Sequence, residues 1–600
     1  ITGGNGYCLN CKQPISRNYL CEQGKKGEID YQLTHFISLE NGKKKFYSPN
    51  DEQINIAENV KKPNIDDIDL EPGANFRVAN YGYNTFSSLF TNRQLLVFET
   101  YKKVIKEIDL RIIKDGGSNE YASLLKTYFA FALNKLVDYN STISTWNKAR
   151  SSIRSTFSRQ ALSLSWDFTE INPFTRSTGS FLSGLKWIIK IMETHQALGN
   201  GKVIQHDASK DISFIENPLV STDPPYYDNI YYADLSDFFY YYLRQILGKD
   251  YDHSFSTIKT PKKPEIIANY YLANKNKKKA EQNFLNGMIK SARNISKIAN
   301  DQFPVTYYYA YKQTEKNIRG DVSSTGWETF LEGLIQAGYM ITATWPLRTE
   351  RTGRMISIGT NALASSVVVA LRKKPTSIPI ATRNEFVRTL SEKLESDIIN
   401  MMSYDISPVD LQQSAIGPGM AVFTQYSKVL EADGSPMSVK TAMQLINAEL
   451  DRIQENSDIE MDSDTRFCIQ WFDTYGFEEK SYGEAETLAQ AKDISVQGLV
   501  NSGVFEADSG KAKLKHWSKM PTDWDPRTDK RLTLWECTHH MVRELVDGDG
   551  QLGAAKLAKF MGPQKADEAK ELAYQLFHIC DKKSWAKHAG DYNTLVSNWA

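Results

Sequence analysis

The sequence predicts an α/β fold: part of an open sheet, preceded by a small β-rich segment and followed by a largely helical region. Three observations carry this. Residues 221–226 read Ser-Thr-Asp-Pro-Pro-Tyr, with the apolar pair Leu219-Val220 before them and an aromatic, helix-like stretch at 231–247 after. That is a strand end, a rigid turn and a helix, the place where open α/β sheets bind ligands. Runs suited to strands recur at 202–206, 218–222, 305–312, 339–346 and 366–371. Beyond residue 380, apolar positions fall at helical spacing, as at Phe386, Leu390, Leu394 and Ile398.

The length suits about four domains. Residues 1–75 read as a β-rich ribbon with a lysine-rich hairpin at 42–46. Within it, Cys8-x-x-Cys11 offers two thiolates of a tetrahedral zinc site, with Cys21 as a candidate third; the alternative is a surface dithiol. Residues 76–200 read as mostly helical, with Thr91 and Gln94 forming a capping box that opens a helix to about residue 106. Residues 201–375 hold the sheet, interrupted by a lysine-rich insert at 255–290. Residues 380–600 are helical. A helix from residue 489 is followed there by a hairpin over 503–517 with alternating lysines, like the wing of a winged helix. Cys468, Cys537 and Cys580 read as buried free thiols, and His539-His540 is not a metal-ligand spacing.

The chain has 72 basic and 72 acidic residues, so net charge gives no general attraction to nucleic acid. Any contact with nucleic acid must be local. Candidates are Lys262-Lys263, the cluster Lys275, Lys277, Lys278 and Lys279, the run Arg348, Arg351 and Arg354, and Arg372-Lys373-Lys374; the plain alternative for each is a solvated face. No apolar stretch approaches the ~20 residues of a membrane helix. Six cysteines with no pairing pattern and no signal peptide fit a reducing cytoplasm. The row Phe238 to Tyr242 reads as packing.

The chemistry that suits Asp223-Pro224-Pro225-Tyr226 is methylation of an exocyclic amine. The lone pair of such an amine is delocalised into its ring. A carboxylate (Asp223) and a backbone carbonyl (Pro224) can accept its two N–H bonds and restore sp³ character to the nitrogen. The prolines remove two backbone donors and fix φ, so acceptors line the turn. Tyr226 offers a face for a base flipped out of a duplex. Read alone, the same tetrapeptide is also an ordinary turn. Upstream, Asp207 could accept from the adenine amine of a nucleotide-like cofactor, or simply cap a helix or form an Asx turn.

Longer stretches narrow these choices. They include Gly6-Tyr7-Cys8-Leu9-Asn10-Cys11, Leu89 to Leu96, Thr156 to Ala161, Trp166-Asp167-Phe168, Asn172-Pro173-Phe174, Ala233 to Phe239, Ser324 to Glu328, Gly359 to Ser366, Ala415 to Ala421 and Tyr482 to Leu488. Through them nearly the whole chain resembles the adenine-specific DNA methyltransferases with a zinc-ribbon insert, a bacterial and archaeal family often associated with phage defence or restriction–modification. The resemblance implies a partial Rossmann-like class I methyltransferase sheet, S-adenosylmethionine as cofactor and double-stranded DNA as partner. It implies that Asp223 and Pro224 hold the adenine amine, that Pro225 shapes the turn and that Tyr226 stacks on the base. Asp207 would then contact the cofactor, Cys8 and Cys11 would supply half of a zinc site whose other pair lies upstream, and residues 156–174 would line the cleft.

The resemblance also implies strand order 3-2-1-4-5-7-6, with the five strand candidates matching strands 3, 4, 5, 6 and 7. Strands 1 and 2, and the family's glycine-rich methionine-binding turn, are expected upstream or on a partner chain. Gly417-Pro418-Gly419 reads as a loop. Two other readings stand beside this one. A non-catalytic DNA-binding or assembly subunit would also lack the glycine turn. Methylation of an RNA base or a protein glutamine uses related turns, the latter usually with Asn in place of Asp223.

Overall fold

The computed structural model describes residues 6–8, 10–70, 76–158, 160–195, 199–228, 230–309, 325–348, 365–403, 408–455, 461–492 and 494–599. The chain divides into two compact units, Ile1–Asp207 with Tyr227–Phe284, and Ala208–Tyr226 with Leu285–Ala600. Each is a mixture of helices and small sheets.

The first unit opens with a hairpin of β1 (Gly6–Tyr7) and β2 (Pro14–Ile15), followed by helix α1 (Arg17–Lys26). The expected lysine-rich hairpin is β3 (Phe36–Glu40) with β4 (Lys43–Tyr47). Its two-residue turn, Asn41-Gly42, has φ of +49° and +76°, the left-handed pair that matches the strands' twist. Helices α2 (Asp51–Glu58), α3 (Asn92–Lys106), α4 (Ile108–Lys114) and α5 (Asn119–Asp138) follow. After the short pair β5 (Trp146–Asn147) and β6 (Ser152–Ile153) come α6 (Phe181–Thr194) and α7 (Tyr232–Leu247). The capping box forms as read: the Gln94 N–H donates to Thr91 Oγ1 at 3.3 Å, and the Thr91 N–H to Gln94 Oε1 at 2.9 Å.

The core of this unit is aromatic. Phe238, Tyr241 and Tyr242 of α7 pack among Phe86, Phe90 and Phe98, and the rings of Phe86 and Tyr241 stack at 4.0 Å. The Phe238 to Tyr242 row is therefore packing. Residues 202–206, expected as a strand, form none and are exposed throughout, with Val203 fully so. A strand needs a partner for its N–H and C=O groups, and no described segment supplies one here.

In the second unit a four-stranded sheet comprises β7 (Ser221–Thr222), β8 (Val305–Tyr309), β9 (Tyr339–Arg348) and β10 (Ser365–Lys373). Its order is β7-β8-β10-β9. β7 runs parallel to β8, and β10 runs antiparallel to both of its neighbours. Val367, Val369, Ala370 and Leu371 make β10 the buried centre, and its β-branched valines suit a packed, pleated strand. The expected extension of β8 to residue 312 lies outside the described residues. Helices α8 (Lys277–Ile298) and α9 (Thr325–Gln336) precede β8 and β9 in turn. Lys277, Lys278 and Lys279 of the expected 255–290 insert thus open a helix, with Asn276 Oδ1 accepting from the Lys279 N–H at 3.0 Å.

Beyond the sheet, the parallel pair β11 (Ala381–Thr382) and β12 (Val429–Leu430) brackets α10 (Arg383–Ser403) and α11 (Pro408–Thr424), and α12 (Val439–Glu455) follows. Phe386, Leu390, Leu394 and Ile398 are all buried along α10. Gly417-Pro418-Gly419 is not the loop expected but the interior of α11. A Cβ at Gly417 would overlap Thr344 and one at Gly419 would overlap Ile446, so these glycines let α11 approach β9 and α12 closely.

The last region runs α13 (Ser463–Tyr475), β13 (Lys480–Ser481), α14 (Tyr482–Ala491), α15 (Val496–Asn501), β14 (Phe505–Asp508) and β15 (Lys511–Leu514). These strands form a sheet of order β13-β15-β14. Four helices complete it: α16 (Leu534–Asp547), α17 (Gln551–Met561), α18 (Pro563–Lys582) and α19 (Ala586–Ser597). Among the described residues no helix is long and apolar enough to cross a membrane.

Candidate active site

The turn Asp223-Pro224-Pro225-Tyr226 leaves the carboxyl end of β7. The strand is short because its pairing is short: Ser221 and Thr222 face Thr306 and Tyr307 of β8, and the Thr306 N–H donates to Val220 O at 3.1 Å. Two successive prolines cannot continue a ladder, so the chain leaves the sheet at Asp223. The Asp223 side chain is exposed, while Pro224, Pro225 and Tyr226 are half-buried.

Behind the turn stands an aromatic wall that the sequence reading did not identify. The Tyr226 ring meets Tyr309 edge-on at 5.4 Å. Tyr309 stacks on Phe330 at 4.1 Å and on Trp327 at 5.4 Å. The clue was present in the consecutive Tyr307-Tyr308-Tyr309 and in Trp327, but only the pairing of β8 beside β7 puts Tyr309 next to Tyr226. Chemically, the turn presents a carboxylate and a proline carbonyl, no N–H from residues 224 and 225, and a ring held in place by a rigid wall.

Asp207, the cofactor candidate, is half-buried just before the turn at 208–210. It belongs to the first compact unit and Asp223 to the second. Arg351 and Arg354 lie outside the described residues, as does the stretch 359–364; Arg348 ends β9 opposite Ser365.

Two basic candidates have partners within the fold. Lys262 is not a solvated residue: its ammonium meets Asp237 at 2.7 Å and Asp234 at 3.7 Å, with 11% of its side chain exposed. Arg372 donates to the carbonyls of Asp301 and Gln302, and Lys373 pairs with Asp301 at 2.6 Å.

Cys8 and Cys11 occupy the turn between β1 and β2. The Cys8 N–H donates to Gln13 O and the Lys12 N–H to Cys8 O, both at 2.9 Å. Lys12 adopts a φ of +61°. The Cys8 thiol is held below its ordinary pKa first by the backbone N–H of Cys11, then by that of Asn10 and by the Cys11 thiol. A turn whose amides stabilise a thiolate suits two of a zinc ion's four ligands. Cys21 points elsewhere, its Sγ 3.9 Å from Ala79 O. Among the described residues no third histidine, cysteine or carboxylate completes a set with Cys8 and Cys11.

Cys468, Cys537 and Cys580 are buried free thiols, as expected. His539 and His540 are buried and engaged within the fold. His539 lies 2.8 Å from Trp535 O and 2.9 Å from the Tyr592 hydroxyl, and His540 stacks on Trp524 at 4.1 Å. On the expected wing, Lys511 and Lys513 pair with Glu479 at 2.7 and 3.3 Å.

Residues 462–600 match a family described as a domain of unknown function, DUF8807. No curated protein and no solved structure matches the chain.

Proposed function

We propose that this chain carries the target-base part of an S-adenosylmethionine-dependent adenine-N6 DNA methyltransferase. One observation carries the reading. The order β7-β8-β10-β9, with β10 antiparallel to both neighbours, is the order 4-5-7-6 that the family resemblance implies. Asp223-Pro224-Pro225-Tyr226 leaves the strand matched to strand 4, at the end where open sheets bind ligands.

The chain's own residues then act as follows. Asp223 and the Pro224 carbonyl accept the two N–H bonds of the adenine amine and direct its lone pair away from the ring. Tyr226, braced by Tyr309, stacks on the flipped base. S-adenosylmethionine, when bound, supplies the methyl group as a sulfonium. The nitrogen forms its bond to that carbon as the carbon–sulfur bond breaks, and the surplus N–H proton leaves to water, so no general base is needed. Asp207 is the one described residue assigned to the cofactor. β7 is the edge of the described sheet, so the reading requires further strands there, from an upstream segment or a partner chain.

The element order α13-β13-α14-α15-β14-β15, with β15 paired to both β13 and β14, supports a winged-helix-like module for double-stranded DNA. Lys511 and Lys513 of its wing are already paired with Glu479, so the module would touch DNA mainly through other residues. The zinc reading of Cys8 and Cys11 requires two more ligands. The phage-defence or restriction–modification setting rests on the resemblance alone.

The edge position of β7 also favours a second reading, a non-catalytic DNA-binding or assembly subunit. Transfer of labelled methyl from S-adenosylmethionine to unmethylated duplex DNA separates the two. Transfer by the wild type that disappears in Asp223→Ala supports the enzyme. Equal transfer by both overturns the roles given to this turn. DNA binding without transfer, with or without an upstream segment added, supports the subunit.

A further inference from the structure

Residues 462–600 hold five of the chain's nine histidines: His516, His539, His540, His578 and His588. His539 and His540 are engaged as described above, and His578 lies 3.6 Å from Asp451. His516 and His588 are placed differently. His516 follows β15, with Nδ1 2.8 Å from the Ser518 hydroxyl. His588 and Asp591 sit one turn apart on α19. The nitrogen and oxygen ligand atoms of His516, His588 and Asp591 all lie within 4.8 Å of one another.

These three groups converge without satisfying each other. His588 Nδ1 is 3.9 Å from Asp591 Oδ2, too far for a hydrogen bond. That nitrogen is buried and has no hydrogen-bond partner, a costly state for a polar atom unless something else completes it. The surroundings suit a cation's ligands. Trp517 Nε1 donates to Asp591 Oδ2 at 3.0 Å and orients the carboxylate. The Ser518 N–H donates to His516 Nδ1 at 3.3 Å, with the Ser518 hydroxyl 2.8 Å from the same nitrogen, and this fixes the ring beside the cluster. The bond from Trp517 is the kind of outer partner that a metal-bound carboxylate has. The ring of Phe477 lies 4.8 Å from His516 and 5.1 Å from His588 and closes one side.

We propose that His516, His588 and Asp591 bind a divalent transition-metal cation, zinc or a zinc-like ion, as three protein ligands that leave one position open. Two imidazoles and one carboxylate match the ligand preference of zinc and cobalt. Burial holds both imidazoles neutral, the state in which they ligate. Lys519 and Lys587 face His516, Lys587 also faces His588, and Lys587 and Asp547 face Asp591. Both lysines are exposed, so solvent and salt screen them. The separations exceed those across a bound ion, so a cation would draw the three groups together by a fraction of an ångström.

Cobalt(II) titration of the metal-stripped full chain tests this. A cobalt ion held by histidine and carboxylate absorbs in the visible, whereas one held by Cys8 and Cys11 adds a thiolate charge-transfer band in the near ultraviolet. The visible absorption is expected in the wild type and absent in His588→Asn. In Asp591→Asn, which keeps an acceptor for Trp517, the affinity should fall about tenfold or more at unchanged melting temperature. The thiolate band should be the same in all three. If His588→Asn does not fold, Asp591→Asn decides alone. A visible band identical in the wild type and the folded variants, or none in the wild type, overturns the site.

Discussion

The Thr344 hydroxyl of β9 donates to the main-chain carbonyl of Ser414 in α11 at 3.2 Å, the carbonyl that Pro418, four residues on, has no N–H to serve. A proline inside a helix removes one ladder hydrogen bond, and here a side chain from the sheet supplies the donor. Ten residues along the helix, Thr424 Oγ1 accepts the Ile341 N–H of the same strand at 3.0 Å. The helix is thereby attached to β9 at two points, and Gly417 allows the close approach.

Thr344→Val keeps the shape and removes the donor. It should lower stability by about 1–2 kcal/mol, read as a shift of the denaturant midpoint at constant slope. Gly417→Ala should cost more, because its Cβ would overlap Thr344. The double variant Gly417→Ala with Thr344→Ala, which removes both the hydroxyl and the methyl that the new Cβ would overlap, should recover part of the loss.

The capping box makes a local prediction. Thr91→Ala removes the acceptor for the Gln94 N–H and should cost about 1 kcal/mol. Thr91→Ser should cost little. Amide exchange in the first turn of α3 should accelerate in the alanine variant.

At the turn, Tyr226→Phe keeps the face that stacks and should retain methyl transfer. Tyr226→Ala should weaken binding of a flipped base by about 1–3 kcal/mol, measured with duplexes carrying a fluorescent base at the target position. Equal binding by both variants would remove Tyr226 from the site.

The last region should show a stability maximum in pH. Burial, and then the charge of Asp529, pushes the Glu536 carboxyl up to about 8. The fold therefore keeps a proton that the unfolded chain releases near 4.5, and stability falls as pH rises from 4.5 to 8. Burial pushes His539 and His540 down to about 3. They stay neutral in the fold, so their contribution is full above about 6.5 and is lost as pH falls toward 3. Two histidines outweigh one carboxyl below 6.5. Melting of this region should thus peak near pH 6.5, and Glu536→Gln should gain on the wild type steadily between pH 4.5 and 8. A constant difference across that range would show that Glu536 titrates normally.

In metal-stripped protein, Cys8 should react with an alkylating reagent faster than Cys11 at neutral pH, since the turn's amides favour its thiolate. Peptide mapping after brief exposure would measure the ratio.

The sequence alone determined what is set within a few residues. The Thr91–Gln94 box, the Asn41-Gly42 hairpin, the buried face of α10 and the turn and helix after Asp223 depend on spacing, capping and φ preference and appear where the residues place them, while the strand expected over 218–222 forms only at Ser221–Thr222. The tertiary structure decided whatever depends on a distant partner. Residues 202–206 have the composition of a strand but no neighbour to pair with. Gly417-Pro418-Gly419 has the composition of a loop but remains helical because Thr344 supplies a donor and the glycines leave room. Lys262 has the look of a surface charge but lies mostly covered against Asp237. His516 meets His588 and Asp591 only because the segment that follows β15 comes against α19. A backbone preference is local, whereas a hydrogen-bond partner, a neutralising charge or a third ligand comes from wherever the fold brings it.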